Sequence, residues 1–268
     1  MDIQSLGYRT DLIFPKFDGQ ILDRGDYLVI LTPTNPTYYW GNFLLFPKPP
    51  KGNDLENWKA IFSKEIGSQI NAEHFTFGWD TIVGDLGEIK PFLDAGFDLS
   101  QSVVLSTQEV KMPTKYNQEA VIRPLTDNLD WEQATQNQIA CRDPEHTFED
   151  YQIFKRDQMK RYRLMAKAGM GLWFGAFLGK KLVADLGVFA TEDIGRFQNV
   201  GTHPNFRRLG ICGALVYEAS CYAFEYMKIK TLVMVADEHY HAAKIYESVG
   251  FQPKEHQAGL TWWDKSKS

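Results

Sequence analysis

One stretch constrains the fold of this chain more than any other: Arg196–Ala214, RFQNVGTHPNFRRLGICGA. It opens with an alternating segment (Phe197, Val200, Thr202) and passes through His203-Pro204 and the basic pair Arg207-Arg208. It then enters Leu209-Gly210-Ile211-Cys212-Gly213-Ala214 ahead of a long apolar-periodic run. The pattern predicts a strand, a tight loop of amides and a helix. A helix start built from small residues exposes unpaired backbone N–H groups at the positive end of the helix dipole, a ready seat for a phosphate. Small residues also let the backbone approach the anion closely, and the two arginines add charge-assisted hydrogen bonds.

Two familiar phosphate loops are absent. There is no G-x-x-x-x-G-K-[ST], and no G-x-G-x-x-G followed by an acidic residue. What stands at Arg207–Ala214 is R-x-x-G-x-C-G-A, preceded by Thr202-His203-Pro204. This resembles the acetyl-CoA pyrophosphate loop of the GCN5-related N-acetyltransferase superfamily, [Q/R]-x-x-G-x-[G/A], with Cys212 where Gly or Ala is usual. A second motif, Ala242–Phe251 (AAKIYESVGF), is similar to the family's A-x-x-[L/I]-Y-E-x-x-G-F helix.

The resemblance implies a site. Backbone groups of Val200, Gly201 and Thr202 would bond the pantetheine arm of acetyl-CoA between two parallel strands. Amides from Arg208 through Leu209, Gly210, Ile211, Cys212 and Gly213 to Ala214 would hold the pyrophosphate, with Arg207 and Arg208 beside them. His239 stands where the family often has a cofactor-contacting Asn. Tyr246 would serve as general acid to the departing CoA thiolate, and a phenol of pKa ~10 suits a thiol of pKa ~8.5. The amine would attack the thioester directly, with no protein nucleophile and no metal. Asp185, Glu192, Asp237 and Glu238 are candidate bases, and His203 a candidate shuttle. The acceptor would lie under two helices joined by Arg142–His146, near Asp143, Glu145, Glu149 and Asp150. The basic set Lys155, Arg156, Lys160, Arg161, Arg163 and Lys167 reads as a solvated helix surface.

Apolar-periodic and alternating segments give the rest. Strands are expected at Tyr27–Thr32, Tyr38–Phe46, His74–Trp79 and Gln101–Val110, with helices at Asp54–Gln69 and Glu88–Ala95. Lys111–Glu119 (KMPTKYNQE) is polar, holds a proline and lacks periodicity, so it reads as a linker. Ala120–Trp263 follows the order β-α-α-β-β-β-α-β-α-β, the order of the superfamily fold. The first half repeats part of it: Glu88–Phe97 aligns with Ala242–Phe251, and Phe92 falls on Tyr246. Its strand Tyr38–Phe46 and helix Asp54–Gln69 match the cofactor strand and helix, yet the intervening PKPPKGNDLEN carries prolines without N–H groups and early carboxylates.

The expectation is therefore an α/β protein of two tandem acetyltransferase-type domains, each with a central mixed sheet flanked by helices. Residues 1–117 would be a degenerate, incomplete copy, and 118–268 the acetyl-CoA-binding domain. The alternative is a catalytically silent acyl-CoA-binding regulatory protein. Net charge is −5, which argues against broad nucleic-acid binding. No signal peptide and no membrane span are evident. Three sparse cysteines suggest a reducing cytoplasm. A monomer or homodimer acting on a small-molecule or peptide amine is expected.

Overall fold

The computed structural model describes residues 1–142, 148–238 and 242–264. His239, Asp143, Glu145 and the side chain of Asp150 lie outside that set. The chain divides into two compact units, one from Met1 to Val104 together with the stretch from Lys254, the other from Leu105 to Ala236 together with the segment ending at Pro253. Both are mixed α/β. Among the described residues no helix is long and apolar enough to cross a membrane.

The first unit begins with α1 (Leu6–Asp11) and α2 (Pro15–Asp18), then β1 (Gln20–Asp23), β2 (Leu28–Leu31) and β3 (Phe43–Phe46). Helix α3 (Asp54–Phe62) runs through a π turn, Ser63–Gly67, into α4 (Ser68–Ile70). Strand β4 (His74–Trp79), α5 (Lys90–Asp94) and β5 (Asp98–Thr107) complete the first pass. The chain returns at its far end with β11 (Gln252–Trp263), which pairs antiparallel with β4, Gly259 opposite Gly78 and Trp263 opposite His74. The closing strand thus counts with the first unit, and the polar linker with the second. The border expected at 117/118 follows the order of the sequence, whereas the units follow this pairing.

Tyr38–Gly41 departs from the expected strand. Tyr39–Gly41 is a 3-10 turn, because the buried Asn42 side chain outcompetes the ladder there. Its Nδ2 donates to the carbonyls of Asn35 (2.9 Å) and Tyr38 (3.0 Å), and its Oδ1 accepts from Thr32 N–H at 2.7 Å. Side-chain amides that satisfy nearby backbone groups stabilise turns in this way.

The core of the first unit is aromatic. Phe77 is fully buried and lies 5.4–6.4 Å, centroid to centroid, from the rings of Phe46, Trp58, Phe62, Phe75, Phe92 and Phe97. Phe46 stacks on Trp58 at 3.8 Å, which seats α3 on the sheet.

The second unit runs β6 (Val121–Pro124), α6 (Asn128–Ala140), α7 (Phe148–Lys167), β7 (Gly171–Leu178), β8 (Lys181–Thr191), β9 (Ile194–Thr202), α8 (Ile211–Glu225), β10 (Thr231–Asp237) and α9 (Ala242–Val249). Strands β6 to β9 form an antiparallel meander, and β10 joins β9 in parallel. Consecutive residues of a strand face opposite sides of a sheet. Trp173 meets Trp131 of α6 and Tyr162 of α7, while its neighbour Phe174 meets Tyr222 of α8. Helices α6 and α7 therefore cover one face and α8 the other.

Truncating Phe77 to Ala removes the ring on which the first unit's aromatic side chains converge. It is expected to destabilise the protein by about 3–5 kcal/mol, read from urea unfolding followed by tryptophan fluorescence.

Candidate functional site

The parallel pair β9–β10 is joined only at its start. Thr231, Leu232 and Val233 pair with Ile194, Gly195 and Arg196, and the register stops there. The remaining residues of β9, Phe197 to Thr202, part from β10 and leave an opening between the two strands. Toward its end β9 also carries a bulge against β8: Asp185 opposes Gly201 and Gly187 opposes Gln198, so β9 holds one residue more. Asn199 takes a left-handed φ of 48° there, a conformation Asn tolerates and a recognised way for a bulge to re-aim a strand.

Beyond Thr202 the chain makes a 3-10 turn, Pro204–Phe206, with His203 Nδ1 accepting from Asn205 N–H at 3.2 Å. Burial, with Lys181 and Arg207 nearby, holds the His203 imidazole below its usual range. Arg207 turns back, and its Nε donates to the Thr202 carbonyl at 3.2 Å. Arg208 and Gly210 take left-handed φ of 62° and 76°. Helix α8 then starts, and Ala214 N–H is the first amide to close a turn, onto Gly210 C=O at 3.1 Å. Among the described residues nothing accepts from the amides of Leu209, Gly210, Ile211, Cys212 or Gly213. The amides expected to face a phosphate are thus consecutive, at a helix start, and without an acceptor among the described residues, with the exposed Arg207 and Arg208 beside them.

Cys212 fits this loop as a small, half-buried group. Burial pushes its thiol up to about 11, so it stays protonated at neutral pH, unlike the thiolate a nucleophile requires. Tyr246 is buried on α9, which packs on α8. The Gly250-Phe251 pair explains the motif around it. Gly250 ends α9 at φ 116°, and Phe251, fully buried, meets Phe197 of β9 edge to face at 5.7 Å. The Tyr246 helix is thereby pinned to the strand that lines the opening.

Of the candidate bases, Asp185 is the one the fold places under the bulge. It is fully buried and accepts from Asn137 Nδ2, from Gln138 Nε2 at 3.1 Å and from Trp173 Nε1 at 2.7 Å. Burial pushes its carboxyl up to about 7, against the opposing pull of those three donors and of Lys155. Glu192 sits in the β8–β9 hairpin turn, eight or more strand residues before Thr202, a distance of about 26 Å. Glu238 pairs with His256 at 3.3 Å in the first unit, and Asp237 closes β10.

Lys155 and Arg161 correct the expectation of a solvated basic surface on α7, since both are buried. Lys155 Nζ donates to Gln158 Oε1 at 2.7 Å and lies 5.3 Å from the Tyr151 ring and 5.5 Å from that of Phe154. Desolvation brings its ammonium down to about 8, tempered by Asp185. Gln158 Oε1 also accepts from Asn199 Nδ2 at 2.8 Å, and Gln138 Nε2 donates to Asn199 C=O at 2.7 Å. Asn137, Gln138, Lys155 and Gln158 thus hold the bulge from α6 and α7. They carried no sequence mark, because polar residues in helix patterns read as surface. Gly201 was the available hint: a Cβ there would meet Gln138 Nε2 at 2.9 Å.

The first unit offers a direct comparison. Its parallel pair β3–β4 stays joined through Leu44, Leu45 and Phe46 opposite Phe77, Gly78 and Trp79, and Asp80 N–H continues the ladder onto Phe46 C=O at 2.8 Å. Two amides of the loop just before α3 are already taken, Gly52 N–H by Glu88 Oε2 (2.9 Å) and Lys51 N–H by Asp54 Oδ2 (2.8 Å). Phe92 is fully buried among Trp58, Phe77 and Phe97.

The family model of the acetyltransferase (GNAT) family matches residues 129–251. No curated protein matches the chain. Among solved structures, a functionally unknown conserved protein from Staphylococcus epidermidis ATCC 12228 is similar at TM-score 0.72 and 13% identity, covering 91% of this chain and 94% of that one. A GCN5-related N-acetyltransferase from Kribbella flavida reaches 0.65 at 14% identity, with 96% of each chain covered. A tandem GNAT protein from the clavulanic acid biosynthesis pathway reaches 0.54 at 12% identity, covering 88% of this chain and 78% of that one. At such identities the likeness is one of fold.

The raised Asp185 pKa has a signed consequence. Its protonated form suits the buried site, so the penalty of ionising it is absent at acid pH and grows as pH rises from the usual carboxylate range toward 7. Calorimetric scans between pH 4 and 7.5 are expected to show wild-type stability falling, relative to Asp185→Asn, over that window, while the variant is flatter and lower at its acid end.

Proposed function

We propose that this chain, whose residues 129–251 are a domain of the acetyltransferase (GNAT) family, is an N-acetyltransferase that moves the acetyl group of acetyl-CoA to a primary amine. One observation carries the reading: β9 parts from β10 after Arg196 and Val233, beside a helix start whose amides have no acceptor among the described residues. An extended polar arm followed by a pyrophosphate matches that pairing of a strand opening with an amide nest.

The chain's own groups divide the work. Backbone groups of Val200, Gly201 and Thr202 bond the pantetheine arm. The amides of Leu209–Ala214, with Arg207 and Arg208, hold the pyrophosphate. Acetyl-CoA supplies an activated thioester, and a backbone N–H of the Asn199–Val200 bulge polarises its carbonyl. The amine nitrogen attacks that carbonyl carbon, the C–S bond breaks, Tyr246 passes its phenolic proton to the sulfur, and the proton shed by the acylated nitrogen returns through water to the phenolate. The ammonium proton of the acceptor leaves through water before attack. The Asp185–Lys155 cluster acts on the bulge rather than on the amine, since Asp185 is sealed from solvent. The first unit is a silent copy, closed by its continuous β3–β4 ladder and its own carboxylates.

Acetyl-CoA at 100-fold its Kd is expected to stabilise the chain by about 2.7 kcal/mol, read as a rise in Tm of several degrees. No rise would refute both this reading and that of a silent acyl-CoA-binding protein. An amine panel followed by CoA thiol release separates the two, because the silent protein binds without turnover. With an accepted amine, Tyr246→Phe is expected to lower kcat by about 10²–10⁴-fold with little change in the KM for acetyl-CoA.

A further inference from the structure

The segment Lys111–Glu119, a linker by composition, is built onto the cofactor loop. Lys111 N–H donates to the Val249 carbonyl at the end of α9 at 2.8 Å. Pro113 is buried against Gly213, where an added Cβ would come within 3.2 Å of its ring. The Lys115 carbonyl sits so close to Gly210 that a Cβ there would meet it at 2.9 Å. Tyr116 OH donates to Glu218 Oε1 of α8 at 2.6 Å. Two side chains then reach the loop's backbone: Lys115 Nζ donates to the Arg208 carbonyl, and Asn117 Nδ2 to the Leu209 carbonyl at 3.0 Å. Asn117 is itself fixed, its Oδ1 accepting from the amides of Glu119 (3.1 Å) and Ala120 (2.9 Å).

Peptide planarity makes those two bonds consequential. In a trans peptide the C=O and the following N–H point in opposite directions within one rigid plane. Holding the Arg208 carbonyl toward the linker turns the Leu209 N–H away from it, and holding the Leu209 carbonyl does the same for the Gly210 N–H. Both amides lack an acceptor among the described residues. The left-handed φ of Arg208, which non-glycine residues seldom adopt, is the conformation these bonds lock.

We propose that Lys115 and Asn117 are positioning residues for the pyrophosphate of the acyl-CoA: they pre-orient the Leu209 and Gly210 amides from behind the loop without touching the ligand. This rests on the acetyl-CoA reading above. It makes the linker part of the binding site's framework, so its sequence cannot be exchanged for a neutral spacer without loss of affinity.

Calorimetric titration of the full chain tests it with two probes, acetyl-CoA and S-acetylpantetheine, which lacks the pyrophosphate and nucleotide. Lys115→Met and Asn117→Asp are each expected to raise the Kd for acetyl-CoA about 10-fold, equivalent to about 1.4 kcal/mol. Their Kd for S-acetylpantetheine is expected to match wild type. Lys115→Arg, which keeps a cationic donor, is expected to stay within about threefold of wild type for acetyl-CoA. Should Asn117→Asp fail to fold, the contrast between Lys115→Met and Lys115→Arg decides alone. Unchanged acetyl-CoA affinity in the variants, or an equal loss for both probes, overturns the proposal while leaving the acetyl-CoA site standing. Wild-type chain that fails to bind acetyl-CoA overturns the functional reading, and this inference with it.

Discussion

The second unit is governed by a debt of backbone hydrogen bonds. Two parallel strands that part after three paired residues leave N–H and C=O groups that a continued ladder would have satisfied. The fold answers on one side with side chains. Asn137 and Gln138 donate to the carbonyls of Gly201 and Asn199, and Cys141 Sγ and Arg207 Nε to that of Thr202. The bulge, the buried polar residues of α6 and α7 and the close approach at Gly201 all follow from keeping β9 extended without a full partner. The first unit shows another arrangement, in which β3 stays paired with β4 to its last residue, Phe46 opposite Trp79.

A polar framework of this kind has a definite character. Buried amides and a carboxylate hold position well when every lone pair is matched, and a half-matched network is costly. Asp185 takes three donors on two oxygens, and Lys155 is desolvated between two aromatic rings and Gln158. Each is expensive to bury alone, and together they compensate part of the cost while fixing the geometry of a single bulge.

Much of this was legible in the residues. The strand–loop–helix at Arg196–Ala214 and the Tyr246–Phe251 motif stand out because tight turns and close approaches demand particular residue types: Gly210 and Gly250 sit at positive φ, and Phe251 fills the space beside Phe197. The repeat in the first half was visible through Gly96-Phe97 and Phe92. What escaped depends on distant partners. Helix α1 has no local signal beyond Ser5, since the amides of Gln4 and Ser5 just before it are met by Asp80 and those of Leu6 and Gly7 at its start by Glu255, both from elsewhere in the chain. Tyr38–Trp40 carries strand-forming residues, yet Asn42 bends it into a turn. Lys155 looked like surface because a cation in a helix pattern gives no sign that an aspartate from another strand and two rings of its own helix will enclose it.

The closed loop of the first unit has a thermodynamic corollary. Where Glu88 and Asp54 supply negative oxygens to the Gly52 and Lys51 amides just before α3, the anions of that loop are covalently part of the chain. Anions of this kind add no dependence on solute concentration, whereas a loop whose amides lack acceptors among the described residues can be coupled to a ligand by mass action. Within one polypeptide, one loop ahead of a helix carries its own anions, and the other leaves its amides without an acceptor among the described residues.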